Sequence, residues 1–288
     1  MENEKGPVHD IGVIVPTTDP GFFGAIARGI EEVVVKANYK IVICQTYNDP
    51  EKEISAIDRL LGLGVHGILV APSTRTEKFD HLLKAQQLGV PVVLFDRSAH
   101  ELDMSHVIID DYRGGYKAVE HLISQGCRRI AHLTHPAKIN VYKERRRGYE
   151  DALRKYGLPL APELVVESNL QFDDGKISMH FLLGLTDPPD AVFSASDLGA
   201  LGVLHVLQEN TIKVPQQVAV VGFCNEPFTR LSDPPLTSID PHCRRIGNLA
   251  SGIFLDEVKA KQTGKIAFKN IMLMPELVIR QSSRRSDK

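Results

Sequence analysis

The sequence predicts an α/β protein built as two similar lobes, each a parallel sheet covered by helices. Three observations carry this. Short apolar, β-branched runs recur along the chain, each followed by a polar turn and a stretch of helical period, an alternation that implies parallel strands joined by helical crossovers. The alternation runs twice, over residues 11–110 and again over residues 112–223. The length of 288 residues gives room for two lobes of ordinary domain size.

Residues 11–15 are apolar and mostly β-branched and stop at Pro16, as a strand buried on both faces does. A polar turn over residues 17–21 follows, and Phe22, Phe23, Ile26, Ile30, Val33 and Val34 then fall near a 3.6-residue period. Residues 40–46 read as the next strand. Asn48, Asp49 and Pro50 open a helix with proline in its first turn, and Ile54, Ile57, Leu60 and Leu61 line one face of it. A strand over 67–71 ends in Pro72, Ser73 and Thr74. A helix over 76–88 stops at Gly89, a strand over 90–95 ends in Asp96, Arg97 and Ser98, and a short strand over 107–109 ends in Asp110 and Asp111.

The second block repeats the pattern. Helices are expected over 112–125, 141–156, 174–183 and 198–209, with strands over 130–133, 164–166, 191–195 and 218–223. Residues 234–240 then read as an extended link, 242–261 as a further amphipathic helix, and 269–273 and 277–279 as short strands. The charged end, 282–288, and the polar start, 1–7, are expected to be flexible.

Composition narrows the function. Hydrophobic content of 43% and charged content of 24% are those of a soluble globular protein. A net charge of −2 excludes a chain that holds nucleic acid by its bulk field. The four cysteines form no C-x-x-C pair, which argues against a zinc site or disulfide framework and fits a reducing compartment. No apolar run approaches the roughly 20 residues of a membrane span, and residues 1–7 hold no signal-peptide segment. These features read as cytoplasmic, and no cofactor or metal is expected.

Two motifs are decoys. Residues 62–67 match G-x-G-x-x-G by letter but end a helix and lead into a strand, the reverse of what a dinucleotide site needs, so a helix cap is the better reading. The basic run 143–147 is read as a helix face, since Tyr149, Ala152, Leu153 and Tyr156 continue an apolar side. One of its arginines is still available to turn inward.

The informative residues stand at strand carboxyl ends: Asp19, Ser73, Asp96, Arg97, Asp110, Ser196, Asp197 and Asn225. Carboxylates, amides and a guanidinium hold sugar hydroxyls by paired hydrogen bonds, and Phe22 and Phe23 are placed to stack on an apolar sugar face. Helix capping accounts for Asp19, Asp110 and Asp197 taken singly. Their recurrence at the same end of successive strands shifts the weight toward a binding cleft. No nucleophile–base pair stands out, so an enzyme is the weaker reading.

These segments resemble the lactose/galactose-repressor (LacI/GalR) family of bacterial transcription regulators, in its ligand-binding part. The resemblance is carried by residues 11–16 with Phe22 and Phe23, 58–61, 65–73, 90–97, 110–116, 120–122, 145–149, 189–197, 214–223 and 235–240, and covers essentially residues 8–281. It implies a periplasmic-binding-protein-like fold of type I, two lobes joined by three crossovers near Asp110, Asp240 and Leu273. The first lobe would take residues 8–110 and 242–272, the second 111–241 and 273–281. The family pattern places effector contacts on the loop before Phe22 and at Ser73, Asp96, Asp110, Arg145, Ser196 and Asp197, and at the residue after the strand ending in Phe223. Three positions depart from it. That last residue is usually Asp and is Cys224 here, followed by Asn225; Asp19 stands where Asn is common; Leu170 stands where many members carry an aromatic.

The resemblance further implies a sugar or similar small polar effector and a homodimer, with candidate surfaces on Ile54, Ile57 and Leu61 and around residues 79–83. It implies DNA contact only through a helix-turn-helix domain that would precede this sequence, and no membrane partner. A free-standing sugar-binding protein of a transport system is the alternative, and an enzyme acting on a sugar a distant one.

Overall fold

The computed structural model describes residues 8–18, 21–97, 102–136, 139–263 and 267–285. The chain divides into two units, Met1–Ile109 with His242–Leu273, and Asp110–Pro241 with Met274–Lys288. The first unit alternates as the apolar periodicity requires. It runs β1 (His9–Val15), α1 (Phe22–Val34), β2 (Tyr39–Gln45), α2 (Pro50–Gly62), β3 (Ile68–Val70), α3 (Asp80–Gln87), β4 (Val92–Phe95) and β5 (Ser105–Ile109). The second unit begins α4 (Asp111–Ser124), β6 (Ile130–Thr134), α5 (Asn140–Lys155), β7 (Val165–Glu167) and α6 (Phe172–Leu183). It continues β8 (Ala191–Ser194), α7 (Asp197–Glu209), β9 (Ala219–Phe223) and β10 (Thr237–Asp240). The chain then returns to the first unit with α8 (Cys243–Thr263) and β11 (Asn270–Leu273), and to the second with β12 (Glu276–Val278).

The first sheet has the order β11-β5-β4-β3-β1-β2 and the second β12-β10-β9-β8-β6-β7. All pairings are parallel except that of β12 with β10. The inner strands lie between helices on both faces, which is why they read as unbroken apolar runs: Ile11, Val13, Ile14, Ile68, Leu69, Val70, Val93 and Leu94 are all fully buried. In each sheet the strand order reverses once, between β1 and β3 and between β6 and β8. Strand carboxyl ends beside such a reversal are where open α/β sheets bind ligands.

In the second unit α4 and α5 approach closely through glycines. A Cβ on Gly115 would meet the Arg145 carbonyl, and one on Gly148 the Tyr112 carbonyl. This contact sets where α5 delivers Arg145.

Several expectations need correction. The helix expected from residue 76 begins at Asp80, because residues 73–76 form a loop tied down by Glu53. The extended link contains β10, which pairs with β9. The tail is not a flexible end as far as Arg285. Ser282 and Ser283 are fully buried; the Ser282 hydroxyl donates to the Val220 carbonyl (2.6 Å) and accepts from the Thr237 amide (2.8 Å), and Arg285 donates to the Pro215 and Asp190 carbonyls. These are polar contacts to backbone, invisible to hydrophobic periodicity. Residues 1–7 and 286–288 lie outside the described residues. Of the candidate dimer surfaces, Ile57 and Leu82 belong to the core of the first unit and are not available to a partner. Gly62 ends α2 and Gly64 has φ 70°, a left-handed turn before β3, in keeping with the cap reading. No described helix is long and apolar enough to cross a membrane.

Candidate functional site

In the first unit the loops after β1, β2, β3 and β4 carry the candidate residues. Phe22 and Phe23 open α1 and meet edge to face, with ring centroids 4.9 Å apart. Phe22 is half-buried and Phe23 buried. Asp96 follows β4 with φ 64°, a conformation few non-glycine residues adopt, and is buried beside Arg97, whose Nε lies 3.5 Å from its Oδ2. The Arg97 guanidinium sits 5.6 Å from the Phe23 ring centroid. Its Nη1 donates to Asn48 Oδ1 (2.7 Å) and to the Pro72 carbonyl (2.8 Å), so it ties together the loops after β2, β3 and β4. Ser73 is buried, with its hydroxyl 3.3 Å from Thr46 Oγ1. Asp19 lies outside the described residues.

In the second unit Arg145 is the arginine of the basic run that turns inward. Its Nε donates to Asp111 Oδ1 (2.8 Å), its Nη1 to the Ala195 carbonyl (2.8 Å), and its guanidinium lies 3.5 Å from the Phe223 ring centroid. Arg146 and Arg147 face outward in ion pairs with Glu150 and Glu144. Arg145 is therefore placed at the carboxyl ends of β8 and β9, next to Ser196 and Cys224.

Ser196 caps α7, accepting from the Leu198 amide at 3.2 Å. Asp197 is buried at the start of the same helix. Its Oδ1 accepts from the Ser238 hydroxyl (2.6 Å) and its Oδ2 from the Glu226 amide (2.8 Å). Burial pushes this carboxyl up to about 7, against the opposing pull of those two donors. Cys224 and Asn225 follow β9 with φ 111° and 48°. The Cys224 amide donates to the Ile239 carbonyl. Asn225 is engaged on three sides: its amide donates to Ser238 Oγ, its Nδ2 to Asp240, and its Oδ1 accepts from Arg280. Leu170, with φ 61°, joins the core of this unit.

The structure thus gathers Phe23, Ser73 and Asp96 in the first unit, and Arg145, Ser196, Asp197, Cys224 and Asn225 in the second. Asp110 stands apart. It caps α4 by accepting from the Arg113 amide (2.9 Å), and its neighbour Asp111 is the buried partner of Arg145. The spacing Asp111, Gly115, Ala118, Leu122 puts Asp111 on the buried face of α4 and was the available signal. Asn48 and Glu53 were also missed. Glu53 shares the buried face of α2 with Ile57 and Leu60, so a helical-wheel reading would have found it. Among the described residues no group of three or more His, Cys, Asp or Glu is placed to hold a metal ion. What both clusters offer is hydrogen bonding and aromatic surface.

Comparison with known proteins agrees with this fold. Residues 119–283 match the periplasmic binding protein-like domain family. The chain is 31% identical over 278 residues to the HTH-type transcriptional repressor PurR of Actinobacillus pleuropneumoniae, covering 96% of this chain and 82% of the repressor. It is 32% identical over 272 residues to the repressor CytR of Escherichia coli, covering 94% and 78%. A LacI family transcriptional regulator from Enterococcus faecium, solved with bound ribose, superposes with a TM-score of 0.85 at 25% identity, covering 95% of this chain and 98% of that one. With two parallel-dominant units of the same strand order and repressors among its relatives, this chain belongs to the LacI family of transcription regulators and forms their periplasmic-binding-protein-like effector domain.

Proposed function

We propose that this chain senses a sugar or related small polar molecule and thereby controls how a helix-turn-helix reader holds its operator. The observation that carries the reading is the set of side chains at the carboxyl ends of the strands at the two order reversals and of the strands next to them. Phe22, Phe23, Ser73, Asp96 and Arg97 stand there in the first unit, and Arg145, Ser196 and Cys224 in the second. An aromatic face beside a carboxylate and a guanidinium matches a polyhydroxylated ring, whose C–H face is apolar and whose edge is rich in hydroxyls. The ribose-bound neighbour supports this ligand class. Asp110, Asp197 and Asn225 also stand at strand carboxyl ends, with polar atoms hydrogen-bonded within the second unit. An effector biases such a regulator only through different affinity for its two states. The chain acts as a homodimer, since isologous pairing is the commonest oligomer, and it performs no turnover.

The test is titration calorimetry of the chain with D-ribose and a panel of pentoses and hexoses. We expect stoichiometric binding of at least one sugar, with the sugar recovered unchanged. A folded protein that gives no binding heat with any of them refutes the ligand class. Light scattering that finds only monomer at micromolar concentration refutes the dimer.

A further inference from the structure

One buried group in the first unit is not accounted for by packing. Glu53 lies in the first turn of α2 and is fully buried. A carboxylate in that position is costly unless several donors surround it. Here every donor comes from the segment after β3. The Ser73 amide donates to Oε2 at 2.5 Å, the Thr76 hydroxyl stands 3.3 Å from both oxygens, and His81 Nε2 is 2.7 Å from Oε1. Ser73 follows the end of β3, where a parallel strand next to an order reversal presents its loop, and its amide has left the sheet ladder. An acceptor oxygen is what such an amide needs, and the second Glu53 oxygen meets His81 and Thr76. The same segment is held from its other side by Asn48, whose Oδ1 accepts from the Thr74 amide (3.3 Å) and from Arg97 (2.7 Å).

We propose that Glu53 is the positioning residue of the effector-binding loop after β3. It touches no ligand; it fixes where Ser73 stands and, through the shared Asn48–Arg97 contacts, the register of that loop with Asp96 and Arg97. This rests on the reading that Ser73, Asp96 and Arg97 take part in effector binding.

The test compares Glu53→Ala and Glu53→Gln with the exposed neighbour Glu51→Ala as control. Amide hydrogen exchange on the free protein reads loop positioning without any ligand. D-ribose affinity reads its consequence. In Glu53→Ala the amides of Ser73, Thr74 and Thr76 exchange at least tenfold faster while those of β1 and β4 keep their rates, and ribose affinity falls at least tenfold. Glu53→Gln, which retains one acceptor for the Ser73 amide, stays within about threefold of wild type in both readouts, and Glu51→Ala matches wild type.

Unchanged exchange at Ser73 and Thr76 in Glu53→Ala overturns the proposal. So does an equal rise in β1 and β4, which would make Glu53 a general stabiliser, and so does unchanged ribose affinity in a protein whose loop has loosened. A wild-type protein that binds no sugar counts against the effector reading instead, and the exchange data then decide the positioning claim alone.

Discussion

Replacing Arg145 by alanine probes what holds the second unit together at its strand ends. Arg145 is 3% exposed and Asp111, its partner at 2.8 Å, is also 3% exposed. Removing the cation leaves a buried carboxylate without its counter-ion and the Ala195 carbonyl without its donor. Breaking a buried ion pair from one side costs about 3–5 kcal/mol. The lost stacking on Phe223, 3.5 Å from the guanidinium, adds up to about 2 kcal/mol. At roughly 2–4 °C per kcal/mol for a domain of this size, the melting temperature of the second unit falls by about 6–20 °C on the ion-pair loss alone. The diagnostic comparison is the double variant Arg145→Met with Asp111→Leu. It removes both charges and their desolvation together, and such apolar replacements of buried pairs are often neutral. It should therefore recover most of the loss. Differential scanning calorimetry of wild type, both single variants and the double variant reads this as a coupling energy. An Arg145→Ala protein that melts within about 2 °C of wild type refutes the reasoning, as does a double variant destabilised by the sum of the singles.

Four further outcomes follow from the same structure. Gly148→Ala drives a methyl into the Tyr112 carbonyl and the Tyr116 amide, backbone atoms that cannot step aside, and should lower stability by about 1–3 kcal/mol in urea unfolding. Gly252→Ala in α8 meets nothing within 4 Å and should raise it by up to about 1 kcal/mol. Asp197 has its carboxyl raised from 3.8 to about 7 by burial, so its contribution is full below about pH 4 and is lost as pH rises through about 7; Asp197→Asn should flatten the fall in stability between pH 5 and pH 8. His132, fully buried between the rings of Tyr149 and Phe193, is lowered from 6.5 to about 3 by burial. Its contribution is present above pH 6.5 and lost as pH falls toward 3, so His132→Phe should reduce the acid sensitivity measured by urea midpoints at pH 7 and pH 5.

The strands and helices were legible because both sheets are covered on two faces. That burial writes unbroken runs such as residues 11–15 and 218–223 into the strands, and one-sided periods such as Phe23, Ile26, Ile30 and Val34 into the helices. The inward turn of Arg145 was legible for the same reason, since it shares a face with Tyr149 and Ala152. Residues whose burial depends on polar partners were harder. Asp110 and Asp111 are chemically alike and adjacent, and only the position of Gly115 one turn on separates the cap from the buried acid. Ser282 and Ser283 carry no apolar signal, because what buries them is hydrogen bonding to Val220 and Thr237. Glu53 was passed over because a charge on a helix is ordinarily read as solvent-facing, and the three groups that justify its burial come from distant residues brought close only by the fold.

The two units solve one problem in the same way. A loop that leaves a parallel strand has amides that the ladder no longer satisfies, and burying them unpaired is costly. In the first unit Glu53, in the first turn of α2, accepts from the Ser73 amide after β3. In the second, Asp197, at the start of α7, accepts from the Glu226 amide after β9 and from Ser238 on β10. Both acids sit where a helix N-terminus favours negative charge, and both accept from a loop amide. Loop shape is then set in part by these buried acids. Cys224 makes the point. Its φ of 111° is unfavourable for any residue with a Cβ, yet the turn is held by its own amide on Ile239, by Asn225 on Ser238 and Asp240, and by Glu226 on Asp197. None of those contacts uses the Cys224 side chain. The path of this turn is therefore tied to Ile239, Ser238, Asp240 and Asp197.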